Sequence, residues 1–320
     1  MDPIQLFLER YGVLVLDGGL ATQLEFRGCD LSGGLWSARL LHDEPDLIRQ
    51  VHSDYLWAGA DCIISASYQA TIPGFVAVGL DVETAVQLLQ RSSQLALLAR
   101  DDYWQQVTNK DGRLRPLVAA SIGPYAAYKA DGSEYTGVYD LDEGGLLDFH
   151  QERWQILDST AVDLFACETI PNFEEAHALA QMLHTTPDRY AWFSFACRDG
   201  YHISDGTPIA HCAAFLDAYP QVAAIGINCT APRFIPELIR QVQRATRKPI
   251  IVYPNSGEIY DGKNQAWTGE SVPAEFGTFS REWRRLGAGL IGGCCRTTPA
   301  HIRQIRDRFR WEIMEKNVRD

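Results

Sequence analysis

Eight short apolar runs punctuate the chain, and each is of strand length. They are Val13-Leu14-Val15-Leu16, Cys62-Ile63-Ile64-Ser65, Leu117-Val118-Ala119-Ala120-Ser121, Leu164-Phe165-Ala166-Cys167, Ala191-Trp192-Phe193-Ser194-Phe195, Val222-Ala223-Ala224-Ile225-Gly226-Ile227, Ile250-Ile251-Val252-Tyr253 and Gly289-Leu290-Ile291-Gly292. Continuous rather than alternating hydrophobicity means strands buried on both faces, as in a parallel sheet. Between the runs lie amphipathic segments that predict helices, among them 46–58, 83–103, 146–159, 173–183 and 234–246. Eight strands with helices between them predict an α/β fold, a (β/α)8 (TIM) barrel formed by residues 1–320 as a single domain. A doubly wound sheet would want G-x-G-x-x-G after its first strand, and Asp17-Gly18-Gly19-Leu20-Ala21-Thr22 lacks the third glycine.

In such a barrel the chemistry sits at the C-terminal ends of the strands. Most of the runs lead into polar or small residues there. Asp17, Ser67, Tyr68, Glu168, Asn228, Cys229, Asn255, Cys294 and Cys295 are therefore expected to share one mouth.

The cysteines change the picture most. Gly292-Gly293-Cys294-Cys295 follows the eighth run, and a helix signal comes at once, with Thr297 or Thr298 as N-cap and Pro299 in the first turn. Glycines let the backbone bend so that both sulfurs can turn to one point. Cys229, after the sixth run, is the candidate third thiol. A catalytic zinc site keeps one of four tetrahedral positions open. Spacing alone leaves inert thiols or a vicinal disulfide as alternatives, since no C-x-x-C pair is present. The barrel brings the sixth and eighth strands into the same alternate set, which makes the three thiols partners in space. Zinc on three thiolates is a weak Lewis acid, suited to binding a fourth thiol as thiolate. That chemistry suggests alkyl transfer to a substrate thiol. No fourth cysteine is well placed, and Cys167 reads as a core residue.

Asp17 and Glu168 are the acidic strand ends and can hold a substrate ammonium, although Asp17 can equally cap the Gly18-Gly19 turn. Asn228 can bind a substrate carboxylate or brace the cysteine loop. Trp36, Tyr68, Tyr125 and Tyr253 can attract a cationic methyl donor through their ring faces. The loops 130–139 and 255–267 are candidate lids, with Gly132, Gly137, Gly257 and Gly262 as candidate hinges.

Composition narrows the partners. The chain has 320 residues, 46% hydrophobic and 22% charged, with a net charge of −12. An acidic balance argues against nucleic acid and anionic membrane. The N-terminus has no basic segment followed by an apolar one, and no apolar run approaches the ~18 residues of a membrane span. The eight scattered cysteines suit a reducing compartment. A cytoplasmic monomer is the expectation.

The stretches Leu16-Asp17-Gly18-Gly19-Leu20-Ala21-Thr22-Gln23-Leu24-Glu25, Ser65-Ala66-Ser67-Tyr68-Gln69-Ala70, Cys167-Glu168-Thr169, Gly226-Ile227-Asn228-Cys229 and Gly292-Gly293-Cys294-Cys295 together resemble the homocysteine S-methyltransferase family. The resemblance runs in order along nearly the whole chain. Trp36-Ser37-Ala38, Gly123-Pro124-Tyr125 and Tyr253-Pro254-Asn255-Ser256-Gly257-Glu258 look most like its stand-alone bacterial and plant members. The resemblance implies zinc on Cys229, Cys294 and Cys295, and Asp17 and Glu168 on the homocysteine amino group. Asn228 is implied to support homocysteine or the zinc loop, with Trp36, Tyr68, Tyr125, Tyr253 and Asn255 around the methyl donor. The donor implied is S-methylmethionine, or less readily S-adenosylmethionine, and the product methionine. The chain ends 25 residues after Cys295, so no cobalamin domain is expected, unlike in the longer methionine synthases. A betaine-dependent enzyme and a non-catalytic zinc- or thiol-binding protein remain the alternatives.

Overall fold

In a computed structural model of the chain, the structure describes residues 1–31, 35, 38–108, 110, 112–261, 266–269 and 271–317. The apolar runs form β1 (Leu14–Val15), β2 (Cys62–Ile64), β3 (Leu117–Ile122), β4 (Leu164–Ile170), β5 (Ala191–Phe195), β6 (Val222–Asn228) and β7 (Ile250–Tyr253). A hairpin of β8 (Ile259–Asp261) and β9 (Ala266–Thr268) intervenes before the last barrel strand, β10 (Ala288–Ile291). The eight barrel strands pair in parallel in the order β1-β10-β7-β6-β5-β4-β3-β2. A parallel bridge between Leu16 and Cys62 closes the ring. The (β/α)8 barrel expected from the apolar runs is the fold observed.

Alternation along each strand divides the core into two layers. Leu14, Leu16, Cys62, Leu117, Ala119, Leu164, Ala166, Trp192, Ala224, Ile251, Tyr253 and Leu290 fill the barrel interior. Their neighbours Val15, Ile63, Val118, Phe165, Cys167, Phe193, Ile225, Val252 and Ile291 pack outward against the helices. Cys167 is thus a core residue, and burial pushes its thiol well up. Continuing the inward sequence one step toward the strand ends gives Ser121 after Ala119, Glu168 after Ala166 and Ser194 after Trp192. The interior turns polar at its upper end, where a ligand can meet it.

The helices follow the expected segments, with ends set by capping. Pro45–Ala58 ends on Gly59, whose φ of 109° only glycine adopts cheaply. Val82–Gln106 is capped by Asp81 accepting from Thr84 N, and Phe173–His184 by Asn172 accepting from Glu175 N. Glu143–Asp158 and Ile235–Ala245, the latter led in by a short 3-10 turn, complete the set read from the sequence. The loop 130–139 carries a short helix, Ser133–Thr136, and 255–267 holds all of the hairpin's strands but the last residue, Thr268. The last helix, Pro299–Asn317, starts where Pro299 places it. Among the described residues no helix is long and apolar enough to cross a membrane.

Candidate active site at the barrel mouth

The three thiols meet above β6 and β10. Cys229 follows β6 in a left-handed conformation, φ 48°, and its N–H donates to Tyr253 O at 3.3 Å. Beyond β10, Gly292 N donates to Val252 O, Gly293 N to Asp17 O and Cys294 N to Pro254 O, at 2.8–3.0 Å. The cysteine loop is therefore sewn to both flanking strands. The Thr297 hydroxyl donates to Cys294 O at 2.6 Å and accepts from Gly19 N at 3.1 Å, tying it to the β1 turn. A Cβ on Gly293 would lie 2.7 Å from Thr297 Cβ, so the close approach requires glycine.

Cys229 Sγ and Cys295 Sγ are 3.6 Å apart, and all three sulfurs lie within 4.8 Å of one another. Tetrahedral zinc with bonds of 2.3 Å separates its sulfurs by about 3.8 Å. The triad therefore fits zinc with little movement, and no fourth His, Cys, Asp or Glu joins it among the described residues. Thiol donation from Cys229 and Cys294 holds the Cys295 thiol well below its ordinary value, while the hydrogen bonds within the triad, then burial and the neighbouring charge, push the other two up.

Across the mouth stand two buried acids. Asp17 accepts from Ile64 N at 2.8 Å, and Glu168 accepts from the hydroxyls of Ser121 and Tyr253. Asp17 therefore joins β1 to β2 rather than capping its own glycine turn. Burial raises Asp17 well above the carboxylate range and pushes Glu168 up to about 7, although its hydroxyl partners work against this. Among the described residues neither forms an ion pair with Lys, Arg or His. Two unpaired buried carboxyls are a place for a ligand cation.

Glu168 owes its aim to a bulge. Between Cys167 and Ile170, β4 gains a residue relative to β5, and Thr169 takes φ 59°. Asn228, fully buried at the end of β6, clamps that bulge. Its Oδ1 accepts from Thr169 N at 2.7 Å, and its Nδ2 donates to Thr169 Oγ1 at 2.6 Å. The same Nδ2 lies 4.0 Å from Cys294 Sγ. Thr169, Cys229 and Arg296 are three of the four non-glycine residues with positive φ among the described residues, and all flank this mouth. Backbone strain of order 1–3 kcal/mol each gathers where geometry matters most.

The aromatic candidates separate. Tyr68 is half-buried at the mouth and donates to Glu134 Oε1 at 2.8 Å. Tyr253 is 1% exposed inside the barrel, with Trp192 Nε1 donating to its hydroxyl at 3.1 Å. Its hydroxyl positions Glu168, and its buried ring offers no open face. Tyr125 joins a cluster with Tyr128, Tyr139 and Phe149, and its hydroxyl reaches Asp140. A buried network fixes it: Glu175 accepts from Tyr125 N, while His150 and Arg153 complete the group and Arg153 holds Gly123 O. Asn255 N donates to Thr230 O, leaving its buried Oδ1 without a partner among the described residues. Trp36 and the hinge candidate Gly262 lie outside the described residues. Sequence reading did not single out Ser121, Thr169 or Glu134, which only position beside an apolar run or in a lid loop hinted at, and it read Thr297 as a helix cap rather than as the tie of the cysteine loop.

Comparison with known proteins agrees with this architecture. The family model described as homocysteine S-methyltransferase matches residues 14–309. Homocysteine S-methyltransferase YbgG of Bacillus subtilis (strain 168) is 51% identical over 305 residues, covering 95% of this chain and 97% of its own. Homocysteine S-methyltransferase of Escherichia coli (strain K12) is 47% identical over 309 residues, covering 96% and 98%. The crystal structure of the homocysteine methyltransferase MmuM from Escherichia coli in its metallated form superposes with a TM-score of 0.86 at 45% identity, covering 96% of this chain and 99% of that one. By sequence along nearly its whole length, and by fold, the chain belongs to the homocysteine S-methyltransferase family, a family of methyltransferases.

Proposed function

We propose that this chain methylates homocysteine to methionine, with S-methylmethionine as donor and S-adenosylmethionine as the poorer one. The observation that carries the reading is the joint presence of the three-thiol cluster and two unpaired buried carboxyls in one mouth. Cys229, Cys294 and Cys295 would hold zinc, as their sulfur spacing allows. Zinc there would lower the pKa of an incoming thiol and keep it ionised at neutral pH.

The chain's own residues do the rest. Asp17 and Glu168 take the homocysteine ammonium, which relieves their burial cost by supplying the missing countercharge. Asn228 keeps Glu168 and the cysteine loop in fixed relation. Held this way, the substrate sulfur can attack a methyl carbon in line with the sulfonium. The new S–C bond forms as the old one breaks, and its electron pair goes to the donor sulfur. A neutral thioether leaves, so no general acid is required. Eight free cysteines suit the reducing cytoplasm, and a monomer contains every residue named here.

The test is transfer of label from methyl-labelled S-methylmethionine to homocysteine by the zinc-supplied protein. Labelled methionine is expected. A folded, zinc-loaded protein that forms none would overturn the donor. Transfer from betaine instead would make it a betaine-dependent enzyme, and metal binding without any transfer would make it a zinc-binding protein.

A further inference from the structure

We infer that Glu134 is a specificity-determining residue that recognises the positive charge of the methyl donor, held over the mouth by Tyr68. The inference rests on the reading above and adds a residue to it.

Glu134 lies on the short helix Ser133–Thr136, inside the loop between β3 and the helix Glu143–Asp158. That loop is strapped across the mouth. Near β2 it is held by the Tyr68 hydroxyl, which donates to Glu134 Oε1 at 2.8 Å. Near β4, Asn172 Nδ2 donates to Gly137 O at 2.9 Å. Gly137 packs so close to Pro171 and Asp205 that a Cβ there would lie 2.8 Å from Asp205 N, so only glycine, at φ 64°, passes. The strap therefore carries Glu134 inward over the strand ends.

Once there, the carboxyl has a hydroxyl partner and no cation among the described residues. Burial raises its carboxyl from the ordinary value, and the charge of the nearby cysteine cluster adds to that. The guanidinium beside the cysteines is already engaged, since Arg296 Nε pairs with Glu258 at 3.0 Å and Nη1 with Glu25 at 3.4 Å. Asp17, Glu168 and Glu134 thus bring three carboxyls to the mouth together with three thiols. A metal on the thiols and one substrate ammonium between Asp17 and Glu168 leave the Glu134 carboxyl without a cation of its own. A donor with its own positive charge at sulfur supplies one, and a neutral donor does not. Glu134, on the lid and apart from Asp17 and Glu168, is the carboxyl free to face it.

The test is steady-state kinetics of wild type, Glu134→Gln, Glu134→Asp and Tyr68→Phe. S-methylmethionine is varied at saturating homocysteine, then homocysteine at saturating donor, and each melting temperature is recorded. Glu134→Gln keeps an oxygen to accept from Tyr68 and removes only the charge. Its donor KM is expected to rise about tenfold or more, with the homocysteine KM within about twofold of wild type and melting unchanged. Glu134→Asp should recover part of the loss, and Tyr68→Phe should weaken donor binding less than Glu134→Gln does. An unchanged donor KM in Glu134→Gln overturns the inference, as does an equal rise in both KM values. Wild type that turns over neither sulfonium donor overturns the reading beneath it, and the inference falls with it.

Discussion

Asn228 and Thr169 grip each other across the barrel, backbone N–H to amide oxygen at 2.7 Å and amide nitrogen to hydroxyl at 2.6 Å. Through this pair the bulge that aims Glu168 is registered against the strand that leads into Cys229. Replacing Asn228 by Ala strands a buried backbone N–H, a cost of about 1–3 kcal/mol. Thermal unfolding of Asn228→Ala should show that loss. Its homocysteine KM should rise about tenfold as Glu168 loses its aim. An unchanged KM alongside lower stability would reduce Asn228 to a structural clamp.

Glu168 gives the protein a pH dependence with a defined sign. Its carboxyl ordinarily titrates near 4.5 and is pushed up to about 7 by burial. An ammonium seeks the ionised form, so affinity should increase as pH rises through about 7. Methionine is the ligand to use, because it has the ammonium and no thiol to titrate. Stability of the ligand-free protein runs the other way. The raised pKa contributes stability below about 4.5 that is lost as pH climbs through about 7. Glu168→Gln should remove the step near 7 from both profiles; a wild-type profile retained in that variant would assign the titration elsewhere.

Thr297 offers a test of the cysteine loop without touching a thiol. Thr297→Val keeps shape but abandons Cys294 O and Gly19 N. The expected cost is about 1–3 kcal/mol in thermal unfolding, with a matching fall in zinc affinity measured by competition with a chelator. Zinc affinity equal to wild type would show that the loop holds its form without the hydroxyl.

Cys294→Ser should lose zinc and methyl transfer together, since a hydroxyl does not replace a thiolate in this triad. Metal content by atomic absorption and methionine formation are read on the same sample. Full turnover in a metal-free variant would end the metal assignment.

Much of this was legible in the chain. Continuous apolar runs set the strands, because burial on both faces leaves no other pattern. The polar residues beyond them followed, since strand ends in a barrel have one place to converge. Asp17, Glu168, Cys229, Cys294 and Cys295 were found that way. The Thr169 bulge was not, because an extra residue in a strand exists only relative to its neighbour's register. Reading strand four as ending at Cys167 rather than Ile170 is the same omission. Tyr125 and Tyr253 were expected around the donor as aromatic residues near strand ends. The structure commits one to an aromatic cluster outside the barrel and the other to holding Glu168, and residue type alone does not distinguish these from an open ring. Glu134 depended on how a loop folds back onto Tyr68, a contact across 66 residues that no local pattern encodes.

The most direct measurement is zinc-edge X-ray absorption on the zinc-loaded protein, with and without homocysteine. The account predicts three sulfur neighbours and one lighter atom in the free protein, rising to four sulfurs when homocysteine is added. Four sulfurs before addition, or no change after it, would contradict an open metal position that takes the substrate thiol.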